Sequence, residues 1–212
     1  MHTIGNHRRP ELSERQPAAR LPATIKAMPA PMPPDRQPRA AYVHVPFCAN
    51  RCGYCNFTLI AGRDDLMDRY LAALRQELSR LESPREVYTI FIGGGTPTHL
   101  PPAALDRLCQ IVLEWFRPLA DCEITVEANP AGLDADRVGV LAAHGVTRLS
   151  LGAQSFHPAK LKALERDHSP ADIAAAVDLT RTRLPSVSLD LIFAAPGETL
   201  AVWQADLDAA MR

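Results

Sequence analysis

From residue 40 onward, short β-rich segments alternate with amphipathic stretches of helical length. The pattern predicts five strands, near residues 41–47, 87–92, 123–129, 146–152 and 186–193. It also predicts five helices, near residues 65–82, 102–116, 134–143, 171–182 and 199–211. Strands separated by helices pair in parallel through right-handed crossovers, so we expect an α/β fold, either a doubly wound sheet or a TIM-like barrel.

Each predicted strand has one apolar and one polar face. The polar faces are formed by residues that alternate with apolar neighbours along the strands. They are Tyr42, His44, Thr125, Glu127, Asn129, Ser150, Gln154, Ser188 and Asp190. A parallel sheet covered on both faces, or a closed barrel, would instead be filled by branched apolar side chains. The polar face favours a partly open barrel that holds a polar ligand. Local hydrogen bonding of scattered polar residues is the alternative.

The two ends of the chain carry separate predictions. Residues 1–38 are rich in proline and lack sustained periodicity, which is typical of a flexible leader before a core domain at 39–212. The fifth predicted helix has an apolar face formed by Leu200, Trp203, Leu207 and Met211. The sequence thus predicts five β/α units, with no further strand after the fifth helix.

Composition narrows the class of partner. The chain is 47% apolar, its formal net charge is −1, and it has no basic stripe, so nucleic acid is not an expected partner. We expect no membrane span, because no apolar segment reaches the roughly 20 residues required. Five cysteines, three of them crowded, favour a reducing compartment, and we expect a cytoplasmic protein. Cys109 and Cys122 are expected in the core.

A loop with three cysteines directly follows the first predicted strand. Cys48, Cys52 and Cys55 lie close enough in sequence to curl around one centre. Thiolates are ligands of iron–sulfur clusters and of tetrahedral zinc, but a four-iron cubane needs four attachments. We therefore expect an open iron that binds an exogenous group. A zinc site completed by His44 or His99 is the alternative.

Glycines follow the second predicted strand. Gly94 and Gly95, with Thr96 after them, can turn backbone amides toward a carboxylate, an amine or a ribose. The Gly-Lys-Ser/Thr ending of a triphosphate-binding loop is missing, so nucleoside triphosphates are not expected ligands. A simple tight turn is the alternative.

Four polar residues lie near the expected ligand side of the barrel. Glu127, Gln154 and Asp190 end polar strand faces, where barrel folds place their ligands, and suit hydrogen bonds to hydroxyl and ammonium groups. Arg166 follows Gln154 by twelve positions and offers a planar fork to a carboxylate. A solvent-facing arginine is the alternative.

Six motifs occur in a fixed order: Tyr42-Val-His-Val-Pro-Phe-Cys48, the cysteine loop, Gly-Gly-Gly-Thr-Pro at 93–97, Glu127-Ala-Asn-Pro130, Gly152-Ala-Gln-Ser-Phe156 and Asp190-Leu-Ile. Together they resemble the radical S-adenosylmethionine (radical SAM) superfamily. The match is most specific to the branch that contains HemW haem chaperones and oxygen-independent coproporphyrinogen III oxidases. The resemblance extends from about residue 40 to the C-terminus. It implies an α/β fold, a partial (β/α)6-type radical SAM barrel that is truncated after about five β/α units and lacks its C-terminal part.

The resemblance implies that Cys48, Cys52 and Cys55 bind three irons of a [4Fe-4S] cluster and that S-adenosylmethionine (SAM) chelates the fourth. An electron from the reduced cluster cleaves SAM in such proteins and yields a radical that abstracts hydrogen from a substrate. The resemblance also implies SAM contacts, including a possible second SAM, from Tyr42, Tyr54, Gly94, Gly95, Thr96, Glu127, Gln154, Arg166 and Asp190.

One position separates the two activities of this branch. The decarboxylating oxidases carry a further cysteine two residues after the third cluster cysteine, whereas this chain has Phe57. Phe57 favours a HemW-like carrier, for which the resemblance implies haem, a haem-acceptor protein and a reducing electron donor. No haem ligand is assigned. A coproporphyrinogen decarboxylase, and an iron–sulfur or zinc module without radical chemistry, stay open as alternatives.

Overall fold

The computed structural model describes residues 39–212, so the predicted leader at 1–38 lies outside the described residues. The strands are β1 (Ala40–Val45), β2 (Phe47–Cys48), β3 (Ile60–Ala61), β4 (Arg85–Gly94), β5 (Phe116–Ala128), β6 (Arg148–Gln154) and β7 (Ser186–Leu191). The α-helices are α1 (Met67–Leu78), α2 (Pro102–Trp115), α3 (Ala135–Ala143), α4 (Pro158–Ala163), α5 (Pro170–Arg181) and α6 (Leu200–Ala210).

Five strands form one parallel sheet in the order β1-β4-β5-β6-β7. The spatial order follows the chain order without reversal, which is the winding of a barrel rather than of a doubly wound sheet. The prediction of a partial α/β barrel is confirmed. Strands β2 and β3 form a separate two-stranded ladder that encloses the cysteine loop.

The apolar strand faces pack against the helices as predicted. Val126, Leu149 and Leu151 are fully buried, and Leu105 and Leu108 of α2 are fully buried with them in the same core. Cys109 and Cys122 are also buried, as expected. The opposite face of the sheet carries the polar side chains, because apolar burial fixes the strand phase and alternation leaves every second residue on the other side.

Three local features differ from the sequence prediction. Strand β5 begins at Phe116, directly after α2, rather than near residue 123. Helix α4 was not predicted, because its six residues are too few for a periodic signal. The predicted apolar face of the last helix is wrong: Leu200 and Met211 are 81% and 85% exposed, whereas Asp206 is buried with 1% exposure, for a reason given below. No α-helix within residues 39–212 is long and apolar enough to cross a membrane.

Candidate metal centre and ligand pocket

A pocket of about 270 Å³ opens at the carboxyl ends of the sheet strands. Most residues singled out from the sequence line it: Cys48, Cys52, Tyr54, Cys55, Gly94, Gly95, Thr96, Glu127, Gln154, Arg166 and Asp190. Tyr42 does not line this pocket. Its ring is 61% exposed and stacks on Phe91, with the ring centroids 5.9 Å apart. The structure thus brings eleven of twelve predicted site residues together, and the role of Tyr42 stays a prediction.

The cysteine loop has its own internal supports. The Cys55 amide donates to the Cys52 carbonyl at 3.0 Å, which closes a turn between two of the cysteines. The Arg51 guanidinium donates to the carbonyls of Cys55 and Leu59. Cys48 lies in β2, and its Sγ is 3.5 Å from the Thr96 hydroxyl. All three thiols are free of disulfides and so remain available to a metal.

The zinc alternative finds no support in the described part of the chain. Within residues 39–212, no three His, Cys, Asp or Glu side chains converge in an arrangement that holds a single metal ion. Both histidines proposed for such a site are engaged elsewhere, His44 with the Thr58 carbonyl at 2.8 Å and His99 with Asp64 at 3.0 Å. The thiolates of a cubane bind different irons and need not converge on one point, so a cluster fits three separated cysteines better.

The glycine turn brings the backbone close to Glu127 and to the start of the cysteine loop. Gly94 has φ +114°, and its amide donates to Glu127 Oε2 at 2.8 Å. A Cβ on Gly95 would lie 2.7 Å from the carbonyl oxygen of Phe47, just before the cysteine loop. Any side chain at position 95 would therefore clash with the backbone of Phe47. Moving that backbone would also displace Cys48, the next residue.

Two carboxylates give the pocket an acidic wall. Desolvation raises the pKa of Glu127 above its ordinary value, and the nearby Asp190 raises it further against the opposing hydrogen bond from Gly94. Partial desolvation also raises the pKa of Asp190, although the Ser150 hydroxyl donates to it at 3.1 Å. Neither carboxylate has a cation bonded to it within the described residues. A ligand with a positive group would relieve this excess of negative charge.

Arg166 faces the site rather than solvent. Its Nη1 donates to Cys52 Sγ at 3.0 Å, and its Nη2 donates to Asn129 Oδ1 at 2.8 Å and to the Gly152 carbonyl at 3.2 Å. Its Nε is buried and has no partner among residues 39–212. Tyr54 lies beside this guanidinium, and burial raises the pKa of its phenol to about 12. The site thus places one guanidinium in the same pocket as the acidic wall, an arrangement that suits a zwitterionic ligand.

Several lining residues were not predicted from the sequence as ligand contacts, although Asn129 and Ser150 were placed on the polar strand faces. Asn129 joins Arg166 to Asp167, because its amide donates to Asp167 Oδ1 at 3.3 Å. Ser150 bonds to both Ser188 and Asp190 across β7. The polar phases of β5 and β6 already placed Asn129 and Ser150 on this face, so a signal existed for them. Asp167 follows a short helix that no pattern predicted, and no comparable signal existed for it.

Gln154 enters the pocket from a strained position. It ends β6 with φ +62°, in the left-handed region that costs a residue other than glycine roughly 1–2 kcal/mol. Glu165 and Ala194 share this conformation and lie next to Arg166 and after β7, respectively. Backbone strain of this kind persists where the surrounding structure fixes it, and it concentrates at functional sites.

Comparison with known proteins identifies the family of this arrangement. Residues 42–210 match the Radical SAM superfamily. The chain belongs to the radical SAM superfamily. Membership implies a [4Fe-4S] cluster and SAM, and the free cysteines, the acidic wall and the unpartnered Arg166 Nε of this radical SAM domain fit those two groups.

Relatives confirm the more specific resemblance. The radical SAM chain is 40% identical over 193 residues to the haem chaperone HemW of Mycobacterium tuberculosis, covering 86% of this chain and 48% of that protein. It is 38% identical over 180 residues to HemW of Escherichia coli, covering 82% and 47%. The solved coproporphyrinogen III oxidase (HemN) of Escherichia coli, a radical SAM enzyme, superposes with a TM-score of 0.73 at 34% identity, covering 81% of this chain and 41% of that one. The chain spans about half the length of the curated relatives it matches.

Proposed function

We propose that this chain forms the cluster- and SAM-binding part of a HemW-like haem chaperone. One observation carries the proposal: three free cysteines line the same pocket as an acidic wall and a guanidinium, in a chain 36–40% identical to several HemW proteins. Cys48, Cys52 and Cys55 hold three irons of a [4Fe-4S] cluster. When bound, the cluster supplies the electron that cleaves SAM.

The remaining pocket residues orient SAM by charge and hydrogen bonding. Glu127 and Asp190 face its cationic groups and its ribose hydroxyls, and Arg166 faces its carboxylate. Gly94 and Gly95 allow close approach of the amino-acid end, and Thr96 offers its hydroxyl, because the three amides already donate to Glu127 and to the Val45 and Phe47 carbonyls. Tyr54 offers its backbone. Gln154 offers its amide to the nucleoside. Tyr42 is also a proposed SAM contact, and a second SAM molecule belongs to the same proposal.

Phe57 favours the chaperone over the decarboxylase. The side chain stands two residues after Cys55, is 70% exposed, and lines the pocket mouth. It offers an apolar ring where a decarboxylating oxidase carries a thiol. The second candidate function is oxygen-independent coproporphyrinogen III oxidation, favoured by the similarity to HemN. As a chaperone, the protein takes haem as its ligand and hands it to an acceptor protein in the cytoplasm, with a reducing electron donor for the cluster.

Anaerobic reconstitution of the 212-residue chain tests the cofactor assignment. We expect about four irons and four sulfides per chain and an electron paramagnetic resonance (EPR) spectrum of the reduced cluster that changes when SAM is added. Cys48→Ser, Cys52→Ser and Cys55→Ser each lose the cluster, whereas Cys122→Ala, at a buried cysteine outside the loop, keeps it. A reduced-cluster spectrum that is indifferent to SAM would leave a structural iron–sulfur module.

Adding coproporphyrinogen III, SAM and a reductant separates the two candidate functions. A chaperone leaves the porphyrinogen unchanged while haem binding appears as a shifted Soret absorption. Vinyl-group formation with multiple turnovers would replace the chaperone assignment with the decarboxylase.

A further inference from the structure

The strained backbone of Gln154 is fixed by hydrogen bonds at Gln154 itself and at the two residues that follow it. The Gln154 carbonyl accepts from the Ile192 amide at 3.0 Å, which ties it to the end of β7. The next residue, Ser155, is fully buried, and its hydroxyl lies 2.8 and 2.9 Å from the two carboxylate oxygens of Asp206. The Phe156 amide donates to the same carboxylate at 2.6 Å. The turn after Gln154 is thus anchored to one carboxylate on α6, about fifty residues further along the chain.

That carboxylate belongs to a buried ionic network. Lys160 of α4 donates to Asp206 Oδ2 at 2.9 Å and to Glu198 Oε1 at 2.5 Å. The three side chains are only 1–4% exposed. The Lys160 ammonium also lies 5.3 Å from the centre of the Trp203 ring. Trp203 of α6 therefore adds a cation–π contact to the network. The hydrogen bonds from Lys160, Ser155 and Phe156 explain why Asp206, rather than Leu200 or Met211, is buried on that helix.

The same network reaches the loop after β7. Glu198 Oε2 accepts from the Ala195 amide at 3.1 Å, next to Ala194 with its left-handed φ of +58°. Strand β7 carries Asp190, the pocket carboxylate described above. One network of charges thus fixes the segments that follow both Gln154 and Asp190, while its own three charged members do not line the pocket.

Stability alone does not account for this arrangement. A buried ion pair contributes little net stability compared with well-packed apolar side chains, because desolvation of the charges offsets their attraction. Hydrogen bonds that converge on one carboxylate do, however, define a unique backbone path. Here that path holds a pocket residue in a conformation it would not adopt unaided.

We propose that Asp206, held by Lys160 and Glu198, is a positioning residue that keeps the Gln154 side chain in place for SAM. The inference rests on the proposed SAM-binding function. Asp206 does not touch the cofactor; it acts through Ser155 and Phe156 on the turn that aims Gln154.

The test compares variants of the reconstituted 212-residue chain. Asp206→Asn keeps the side-chain shape but removes the charge that Lys160 and Ser155 bind, and Ser155→Ala removes the link between the carboxylate and the turn. Asp208→Asn, on the exposed side of the same helix, is the matched control. We expect both network variants to keep the iron and sulfide content of the parent while the SAM dissociation constant, measured from the EPR change, rises about tenfold or more. Asp208→Asn binds SAM like the parent.

A double-mutant cycle distinguishes positioning from general loosening. If Asp206 acts through Gln154, then Asp206→Asn causes no further loss of SAM affinity in a Gln154→Ala background. If Asp206→Asn still caused its full loss of SAM affinity in the Gln154→Ala background, the inference would be overturned. Ser155→Ala goes through the same cycle, so the conclusion stands on a second variant if Asp206→Asn does not fold.

A crystal structure of the Asp206→Asn chain decides the question independently of SAM. We expect Gln154 to leave the left-handed φ region or to take several side-chain positions. A turn unchanged from the parent would overturn the positioning role. Failure of the parent chain to respond to SAM would instead overturn the proposed function, so the two failures are distinguishable.

Discussion

Two pairs of carboxylates lie beside the last strands of the sheet and experience opposite surroundings. In the pocket, desolvation raises the pKa values of Glu127 and Asp190, and no cation within the described residues is bonded to either. Behind the pocket, burial alone would raise the pKa of Asp206, but hydrogen bonds from Lys160, the Phe156 amide and Ser155 outweigh it and lower that pKa.

Lys160 explains the difference. Its hydrogen bond lowers the pKa of Glu198, and the two carboxylates together raise the pKa of Lys160 against its own desolvation. The network carries its own counter-charge and serves structure. Within residues 39–212 no cation is bonded to Glu127 or Asp190, so their negative charge is available to a cationic ligand.

Removing the counter-charge should have the largest effect. Lys160→Met leaves Asp206 buried and uncompensated, so we expect the free energy of unfolding to fall by about 3 kcal/mol in denaturant titrations. Lys162→Met, at an exposed position of the same helix, should change it by less than about 0.5 kcal/mol. Equal stability of the two variants would show that Asp206 does not depend on Lys160.

Neutralising a pocket carboxylate should separate stability from binding. Glu127→Gln keeps an oxygen acceptor for the Gly94 amide and removes a charge that is unfavourable in the ligand-free protein. We expect unchanged or higher unfolding free energy but a SAM dissociation constant raised about tenfold. Glu86→Gln, exposed on β4, is the control. A loss of stability with full SAM affinity would reverse the roles assigned to the pocket acids.

A change of pH should have a smaller effect on stability, and the sign of this effect should differ between the pocket carboxyl groups and Asp206. A carboxyl group whose pKa is raised by folding binds its proton more tightly in the folded state, so its contribution to stability declines as pH rises from about 4 through the raised pKa. Asp206 behaves oppositely: its contribution is present above the ordinary carboxyl pKa and is lost as pH falls through the lowered one.

Denaturant titrations between about pH 2 and 7 compare the parent with the two variants. Relative to Glu127→Gln, the parent should lose stability as pH rises above about 4. Relative to Asp206→Asn, it should lose stability as pH falls below about 4. Parallel curves for all three proteins would contradict both pKa directions.

The smallest effect is expected at the rim of the acidic wall. Arg148 pairs with Glu123 at 3.1 Å and partly opposes the raised pKa of Asp190. Because this pair is largely solvated, Arg148→Gln should change unfolding free energy by less than about 0.5 kcal/mol. Its SAM dissociation constant should stay within about threefold of the parent. A tenfold change would mean that Asp190 already has an effective counter-charge, as Asp206 has.

The pocket residues that lie on strands were predictable from the sequence, because the alternation of apolar and polar residues shows which face of the sheet each residue occupies. Burial of Val126 and Leu149 fixes the phases of β5 and β6, and the opposite phases place Glu127, Asn129 and Ser150 on the ligand side. The cysteine spacing is local and therefore visible in the sequence alone. The site chemistry itself stays a prediction until the cofactors are measured.

The network was not predictable by the same means. Asp206 lies in an amphipathic helix where a charged residue is expected to face solvent, and its partner Lys160 lies 46 positions away in a helix too short to predict. The left-handed φ of Gln154 likewise depends on contacts with distant residues. Hydrophobic periodicity predicts which apolar residues are buried, but it does not predict which charged side chains form ion pairs.

The order of these parts along the chain sets the order in which they are synthesised. The cysteine loop and the glycine turn leave the ribosome first, Gln154 and Asp190 follow, and Asp206 comes last. A nascent chain therefore exposes all three metal-binding thiols before it contains the carboxylate that fixes the turn after Gln154. The metal-binding thiols and the completed ligand site therefore become available at different points of synthesis.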